Sequence, residues 1–182
     1  MKTWLTTALA VTLVTGGARA QQPSGAMDAS LRNSEGSPVR LSRWRGKPVI
    51  LFYEDKDSVN LNAPLKERLF ELARERGLQE SAWVVAVANL EKFNFFPARQ
   101  IALSYVKDEE KKAGVPILVD LEGTLGKAPW KLPMKTSTVM LLDAEGTLLY
   151  RYSGRMAEKD IELFIALLAR LVGVDLETEA RI

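Results

Sequence analysis

The side chains best suited to chemistry lie in a polar stretch that runs from Glu54 to Asn62. Glu54, Asp55 and Asp57 carry carboxylates that could hold a cation or work as a general acid and base. Alternatively, the stretch is a solvated loop whose Asp, Ser and Asn side chains bond free N–H groups at the start of the next helix. The spacing does not require chemistry, so the loop interpretation is favoured and the enzyme interpretation stays open.

Two residue types with distinctive chemistry are missing from the chain, which has no Cys and no His. Without a thiol, thiol–disulfide exchange, cysteine-based peroxidase chemistry and Cys-ligated metals are excluded. Without imidazole, a Ser-His-Asp triad and a His-ligated metal are excluded as well. Ser58 has no histidine to activate it, and a pairing with Lys56 or Lys47 matches no motif. We therefore predict no catalytic residue, no metal and no cofactor.

Aromatic residues are the second candidate for function. Phe93, Phe95 and Phe96, followed by Pro97, come after a predicted strand, where α/β proteins often place binding loops. If exposed, these rings could bind a peptide or protein partner. Alternatively they close the end of the sheet beneath the next helix, because clustered aromatic residues are usually buried.

Apolar periodicity predicts the elements that carry these loops. Short apolar runs predict strands at 49–53, 83–88, 117–119, 138–142 and 148–152. Apolar residues at helical spacing predict helices that begin near Asn62, Pro97 and Met156, with Asn62 as the cap of the first. Strands alternating with helices, then a hairpin and a closing helix, predict an α/β fold with a central mixed β-sheet flanked by helices.

The stretches 120–125 and 143–148 share the pattern Asp-x-Glu-Gly-Thr-Leu. Two acids before a glycine are faintly similar to a calcium loop, which needs several more oxygen ligands at alternating positions. Asp and Gly are also what a tight turn after a strand requires, and we predict turns.

The first twenty residues have the pattern of a secretory signal peptide. Lys2 precedes an apolar stretch, and Ala18-Arg19-Ala20 forms a cleavage site. We predict a signal peptide at 1–20, a flexible lead-in at 21–30, one folded domain at 31–172 and a C-terminal tail at 173–182. The predicted location is periplasmic or secreted, with no membrane anchor after cleavage.

The charge balance bears on the kind of partner. The chain has 25 Lys and Arg against 23 Asp and Glu, and two of the basic residues, Lys2 and Arg19, lie in the predicted signal peptide. The remaining chain is close to neutral, and its sequence contains no basic stripe. We therefore predict no nucleic-acid partner.

The order of elements resembles the thioredoxin-like fold. The segment from Leu41-Ser42 through Gly46-Lys47-Pro48 to Phe52 is similar to the entry of secreted redoxins of the AhpC/TSA and TlpA kind. The segment from Val139 to Gly146 is similar to their late strand followed by Asp-x-x-Gly. The similarity spans about residues 31–172 and implies the fold more specifically than any activity.

Scattered residues are similar to one subgroup, the YtfJ family of periplasmic thioredoxin-like proteins. They are Asn62-Ala63-Pro64-Leu65, Val85 to Asn89, Val119-Asp120-x-x-Gly123, Trp130-x-Leu132 and Thr136-Ser137. This resemblance implies a location and an architecture, but no defined reaction.

Active thioredoxins carry Cys-x-x-Cys after the first central strand, at the N-terminus of the next helix, where the helix dipole lowers the thiol pKa. Those positions fall here near Asp57 or Ser58 and near Asn60 or Leu61. The cis-proline that faces the thiols in thioredoxins falls near Ser137, where we expect a trans peptide bond.

The resulting hypothesis is an exported, redox-inactive module that binds an extracytoplasmic protein or an extended peptide. Its cleft is expected between residues 54–62, the Phe93–Pro97 loop and Thr136–Ser137. The predicted binding residues are Asp57, Ser58, Asn60, Phe93, Phe95, Phe96 and Ser137. The alternative is a non-redox enzyme, carboxylate- or metal-assisted, that uses the 54–62 loop.

Overall fold

A computed structural model describes residues 26–173. The predicted signal peptide and nearly all of the predicted C-terminal tail lie outside the described residues. The elements in chain order are β1 (Ser30–Arg32), β2 (Pro38–Arg40), β3 (Val49–Glu54), α1 (Ala63–Arg76), α2 (Leu78–Ser81), β4 (Trp83–Asn89), α3 (Ala98–Ala113), β5 (Ile117–Asp120), β6 (Thr138–Leu142), β7 (Leu148–Ser153) and α4 (Glu158–Val172). None of the helices within 26–173 is long and apolar enough to cross a membrane.

The strands form one mixed sheet of seven strands in the order β2-β1-β5-β4-β3-β6-β7. β3, β4 and β5 are parallel, and β6 runs antiparallel to β3 and forms the predicted hairpin with β7. The predicted strands and long helices are all present, which confirms the α/β prediction. The two strands of three residues each, β1 and β2, were not predicted because such short segments carry no readable period.

The central strand β3 is buried along its whole length and supplies both faces of the core. Leu51 and Tyr53 point to one face, where they join Trp130 of the long connection between β5 and β6. Ile50 and Phe52 point to the other face, where α1 and α4 cover the sheet. Alternate residues of a strand face opposite sides, so a continuous apolar run is what a strand covered on both sides requires.

Residues ahead of position 31 also take part in the fold. Ala26 pairs with Thr147, and Ala29 is buried in the core. The Asp28 carboxylate accepts hydrogen bonds from the Arg40 side chain at 2.6 Å and from the Ser42 N–H at 3.0 Å. Partial burial acts to raise the pKa of Asp28, but these bonds outweigh it and hold that pKa below its ordinary value.

Both Asp-x-Glu-Gly-Thr-Leu stretches form turns in which the aspartate bonds backbone N–H groups. The Asp120 carboxylate accepts from Thr124 N–H at 2.7 Å and from Leu125 N–H at 2.8 Å. The Asp143 carboxylate accepts from Glu145 N–H and Thr147 N–H at the hairpin turn. These aspartates therefore stabilise the loops after β5 and β6.

Adjacent residues of α1 test the assignment of its buried face. Leu69 is buried against the core, whereas Phe70 is 68% exposed. We expect Leu69→Ala to lower the free energy of unfolding by about 3 kcal/mol, because it leaves a cavity. Phe70→Ala, the matched control, is expected to change it by no more than about 0.5 kcal/mol. Urea denaturation measures both, and equal losses would show that the helix face is misassigned.

Candidate functional site

Three loops lie at one end of the sheet, called here the carboxyl edge. The parallel strands β3, β4 and β5 end there, and they continue into residues 55–62, 90–97 and 121–137 (the first, second and third loops). Lys135 N–H donates to the Asp55 carboxylate at 3.1 Å and so joins the third loop to the first. Leu90 N–H donates to the Asp120 carbonyl at 3.0 Å and joins the second loop to the end of β5. The loops that the sequence predicts to form a cleft therefore do lie together.

A buried carboxylate lies beneath this edge. Glu54, the last residue of β3, is only 7% exposed. Lys66 Nζ of α1 donates to Glu54 Oε2 at 2.6 Å, and Ser137 Oγ donates to Glu54 Oε1 at 2.7 Å. Burial raises the pKa of Glu54, while the ammonium and the hydroxyl act in the opposite direction. Both carboxylate oxygens are thus engaged in joining β3 to α1 and to the segment before β6.

Asn62 extends this network, and the prediction that its side chain caps α1 is wrong. It occupies the N-cap position but makes no capping hydrogen bond. Its Nδ2 donates to Ser137 Oγ and to the Gly154 carbonyl, both at 2.9 Å, and its Oδ1 accepts from Met156 N–H at 2.9 Å. These distant partners satisfy the amide better than a local cap would, and they tie the start of α1 to the entry of α4.

The positions where thioredoxins carry thiols belong to a closed turn. Ser58 is buried, and its hydroxyl donates to the Asp55 carboxylate at 2.8 Å and accepts from Asp55 N–H at 2.9 Å. The same carboxylate accepts from the N–H groups of Asp57 and Ser58. The side chains of Asp57 and Asn60 are exposed. Asp57 and Asn60 can therefore contact a ligand, but Ser58 cannot.

Ser137 also departs from its predicted role. It is fully buried and hydrogen-bonded to Asn62 and Glu54, so it supports the edge from below and does not line it. The peptide bond before Ser137 is trans, as predicted. The cis bonds among the described residues are Phe96–Pro97 and Ala128–Pro129.

The aromatic residues of the second loop were predicted either to be exposed and bind a partner or to be buried at the end of the sheet, and the structure shows some of each. Phe93 is half-buried and packs on the small cluster of Leu90, Val106, Val119 and Leu121. Phe95 is 59% exposed and Phe96 is 82% exposed. Only Phe93 therefore closes the end of the sheet, and the other two rings face solvent.

The helix that follows the second loop leaves more apolar surface uncovered. Ile101 and Tyr105 of α3 are exposed, whereas Ala102, Leu103 and Val106 pack on the small cluster at the end of the sheet. The sequence places Ile101, Ala102, Tyr105 and Val106 on one apolar face. Within the described residues, no other element packs on half of that face. Helical periodicity shows which residues share a face, but it does not show which of them are buried.

A buried hydroxyl that sequence reasoning missed lies under the same loops. Tyr53 Oη is buried and has no hydrogen-bond partner within residues 26–173. Burial, followed by the charges of Asp120 and Glu91, raises the pKa of Tyr53 well above its ordinary value. The hydroxyl stays protonated at neutral pH, so it is not available as a general base. The apolar run 49–53 indicates only that Tyr53 is buried.

The arrangement gives little support to the alternative of a carboxylate-assisted enzyme. Glu54 is paired with Lys66, and Asp55 is occupied by the turn, so among the described residues only Asp57 of the three predicted acids has a carboxylate without a partner. Within residues 26–173, no group of three or more acidic side chains is placed to hold a metal ion.

Solved structures of three bacterial proteins share this architecture. A Chlorobium tepidum protein described as a thiol:disulfide interchange protein of the DsbE type superposes with a TM-score of 0.61 at 19% identity, covering 84% of this chain and 99% of that chain. The exposed lipoprotein thioredoxin Etrx1 of Streptococcus pneumoniae gives 0.56 at 22% identity, covering 80% and 100%. Peroxidoxin BcpB of Mycobacterium tuberculosis gives 0.53 at 18% identity, covering 85% and 97%.

These likenesses confirm the fold predicted from the sequence. No family model matches the chain, and no curated protein matches it. At identities this low the comparisons carry the architecture alone. The chain has a thioredoxin-like fold and contains no cysteine.

The hydrogen bonds of Asn62 contribute measurably to the free energy of unfolding. Asn62→Ala leaves Met156 N–H and the Gly154 carbonyl without their partner, and we expect it to lower the free energy of unfolding by about 3 kcal/mol. Asn60→Ala is the matched control, because Asn60 is exposed, and should cost no more than about 0.5 kcal/mol. Chemical denaturation of both variants checks this, and a near-neutral Asn62→Ala would contradict the network.

The raised pKa of Glu54 predicts a pH dependence. The folded state holds this proton more tightly than the unfolded state, whose pKa is near the ordinary value of 4.5. The stability that Glu54 contributes is therefore fully present below pH 4.5 and is lost as the pH rises through the folded pKa. Glu54→Gln removes this titration and keeps the shape of the side chain.

We expect the stability of Glu54→Gln relative to the natural protein to increase between about pH 4 and about pH 8. Urea denaturation at several pH values measures the difference, in which the other titrating groups largely cancel. A difference that is constant with pH, or that falls, would contradict the direction assigned to Glu54.

Proposed function

We propose that this chain is a redox-inactive, thioredoxin-like protein that binds a protein or an extended peptide at the carboxyl edge. One observation carries the proposal: each of the three loops presents an exposed apolar side chain. Val59 lies on the first loop, Phe95 and Phe96 on the second, and Met134 on the third. Single exposed apolar residues are common on protein surfaces, but a group on adjoining loops is typical of interaction sites.

The chemistry of these side chains suits a polypeptide ligand. Phe95 and Phe96 offer large rings that anchor well because they lose little conformational freedom on binding. Met134 is flexible and adapts to varied partners. The network of Glu54, Ser137 and Asn62 fixes the backbone beneath them, so the edge is preorganised.

We also propose that the protein acts outside the cytoplasm, as a member of the YtfJ family. The signal-peptide pattern of residues 1–20 supports export, and one structural neighbour is named as an exposed lipoprotein. The structural neighbours named for thiol chemistry do not extend that chemistry to this chain, because it has no sulfur nucleophile. The partner is then an extracytoplasmic protein.

Peptide binding and its dependence on the second loop test this function. We expect the protein to bind the apolar-rich members of an array of peptides whose sequences are taken from unfolded proteins. The double variant Phe95→Ser/Phe96→Ser should weaken that binding about tenfold or more, because burying a phenylalanine contributes about 1.5–3 kcal/mol. Phe70→Ser, an exposed phenylalanine on α1, is the control and should bind as the natural protein does. Equal binding by the double variant, or no binding by the natural protein, would refute the proposal.

A further inference from the structure

Several cations lie on the loops that leave the carboxyl edge, although the chain as a whole is nearly neutral. The stretch from Thr124 to Ser137 contains three lysines and no acidic residue. Lysine also lies on the first and second loops, and an arginine follows at the start of α3. We call this set the basic rim: Lys56, Lys92, Arg99, Lys127, Lys131 and Lys135, all exposed.

The cations of the basic rim are not neutralised by their surroundings. The ion pairs found within residues 26–173 involve none of the six. Within the described residues, the one hydrogen bond made by these charged groups runs from Lys127 Nζ to the Glu122 backbone carbonyl, at 2.7 Å. Their charge is therefore available to a ligand.

The acids of the same loops offset part of this charge. Glu54 pairs with Lys66 and Glu122 pairs with Arg32, whereas Asp55 accepts backbone N–H groups and keeps its negative charge. Counting Asp55, Asp57, Glu91 and Glu122 as four acids against the six cations leaves a net charge of +2. The excess lies on the third loop, which has three lysines and one acid.

We propose that the ligand of the carboxyl edge is an extended peptide segment that combines apolar side chains with aspartate or glutamate. This rests on the function proposed above and names the class of partner. The apolar side chains pack on Phe95, Phe96 and Met134, and the carboxylates pair with exposed lysines of the basic rim. Complementary charge of this kind sets specificity and speeds association.

The apolar side chains of the carboxyl edge favour a peptide over a nucleic acid or another polyanion. Charge alone does not separate these ligands, because exposed cations without an ion pair within residues 26–173 also lie elsewhere, for example Arg43 and Arg45. A polyanion would use only the lysines, whereas a peptide segment uses the lysines together with Phe95, Phe96 and Met134.

Three labelled peptides of one length test the inference, each with alternating apolar positions and with Glu, Gln or Lys between them. Fluorescence polarisation measures their binding to the full chain. We expect the Glu peptide to bind about tenfold more tightly than the Gln peptide at low salt, and the Lys peptide to bind most weakly. The advantage of the Glu peptide should shrink between about 50 mM and about 300 mM NaCl, because salt screens exposed charges.

Matched triple variants locate the effect. Lys127→Gln/Lys131→Gln/Lys135→Gln should lower the affinity for the Glu peptide to that for the Gln peptide and so abolish the preference. The control Lys107→Gln/Lys111→Gln/Lys112→Gln makes the same change in net charge on the second half of α3 and should keep the preference. Thermal melts establish that both variants are folded.

The outcomes separate this inference from the function on which it rests. If the Gln peptide binds through Phe95 and Phe96 and the Glu peptide binds no better, the acidic preference is wrong and peptide binding stands. If no peptide binds, both fail. If vesicles of phosphatidylglycerol and phosphatidylcholine, or an oligo-dT strand, bind through the three lysines in place of the peptides, the edge takes a membrane or a nucleic acid and the inference is overturned.

Discussion

A carboxylate removed from water holds the carboxyl edge together. Glu54 ends the central strand and accepts hydrogen bonds from Lys66 of α1 and from Ser137, which precedes β6. Burying a carboxylate is costly, and the charged and neutral donors offset only part of that cost, since the pKa of Glu54 stays raised. Asn62 shares the Ser137 hydroxyl and reaches Met156 N–H, so the constraint extends to α4. The loops above can present exposed side chains because their bases are fixed from below.

In the resemblance drawn from the sequence, Ser58 and Ser137 fall near the reactive positions of thioredoxins. Ser58 closes a turn with Asp55, and the Ser137 hydroxyl is enclosed by protein groups. Both hydroxyls therefore serve packing and hydrogen bonding. In the proposed function, the edge acts through its exposed surface, which includes the rings of Phe95 and Phe96 and the lysines of the basic rim.

The sequence predicted most of the fold but only part of the site. Long apolar runs such as 49–53 and the strongly periodic helix α4 were readable because burial imposes their period. The role of Asn62 was not, since its partners Gly154 and Met156 lie about ninety residues away along the chain. The exposure of Phe95 beside a half-buried Phe93 depends on how far α3 covers the sheet, which local pattern does not encode.

The attachment of α3 has a consequence for motion. Of its sixteen residues only Val106 is fully buried, whereas α4 is anchored by Ile161, Phe164, Ile165 and Leu168. A helix held by so little apolar contact opens at a lower free energy than the rest of the domain, and its amide hydrogens exchange through partial unfolding. A peptide bound to Phe95 and Phe96, which directly precede α3, would suppress that opening, so part of the affinity would be spent on ordering the receptor.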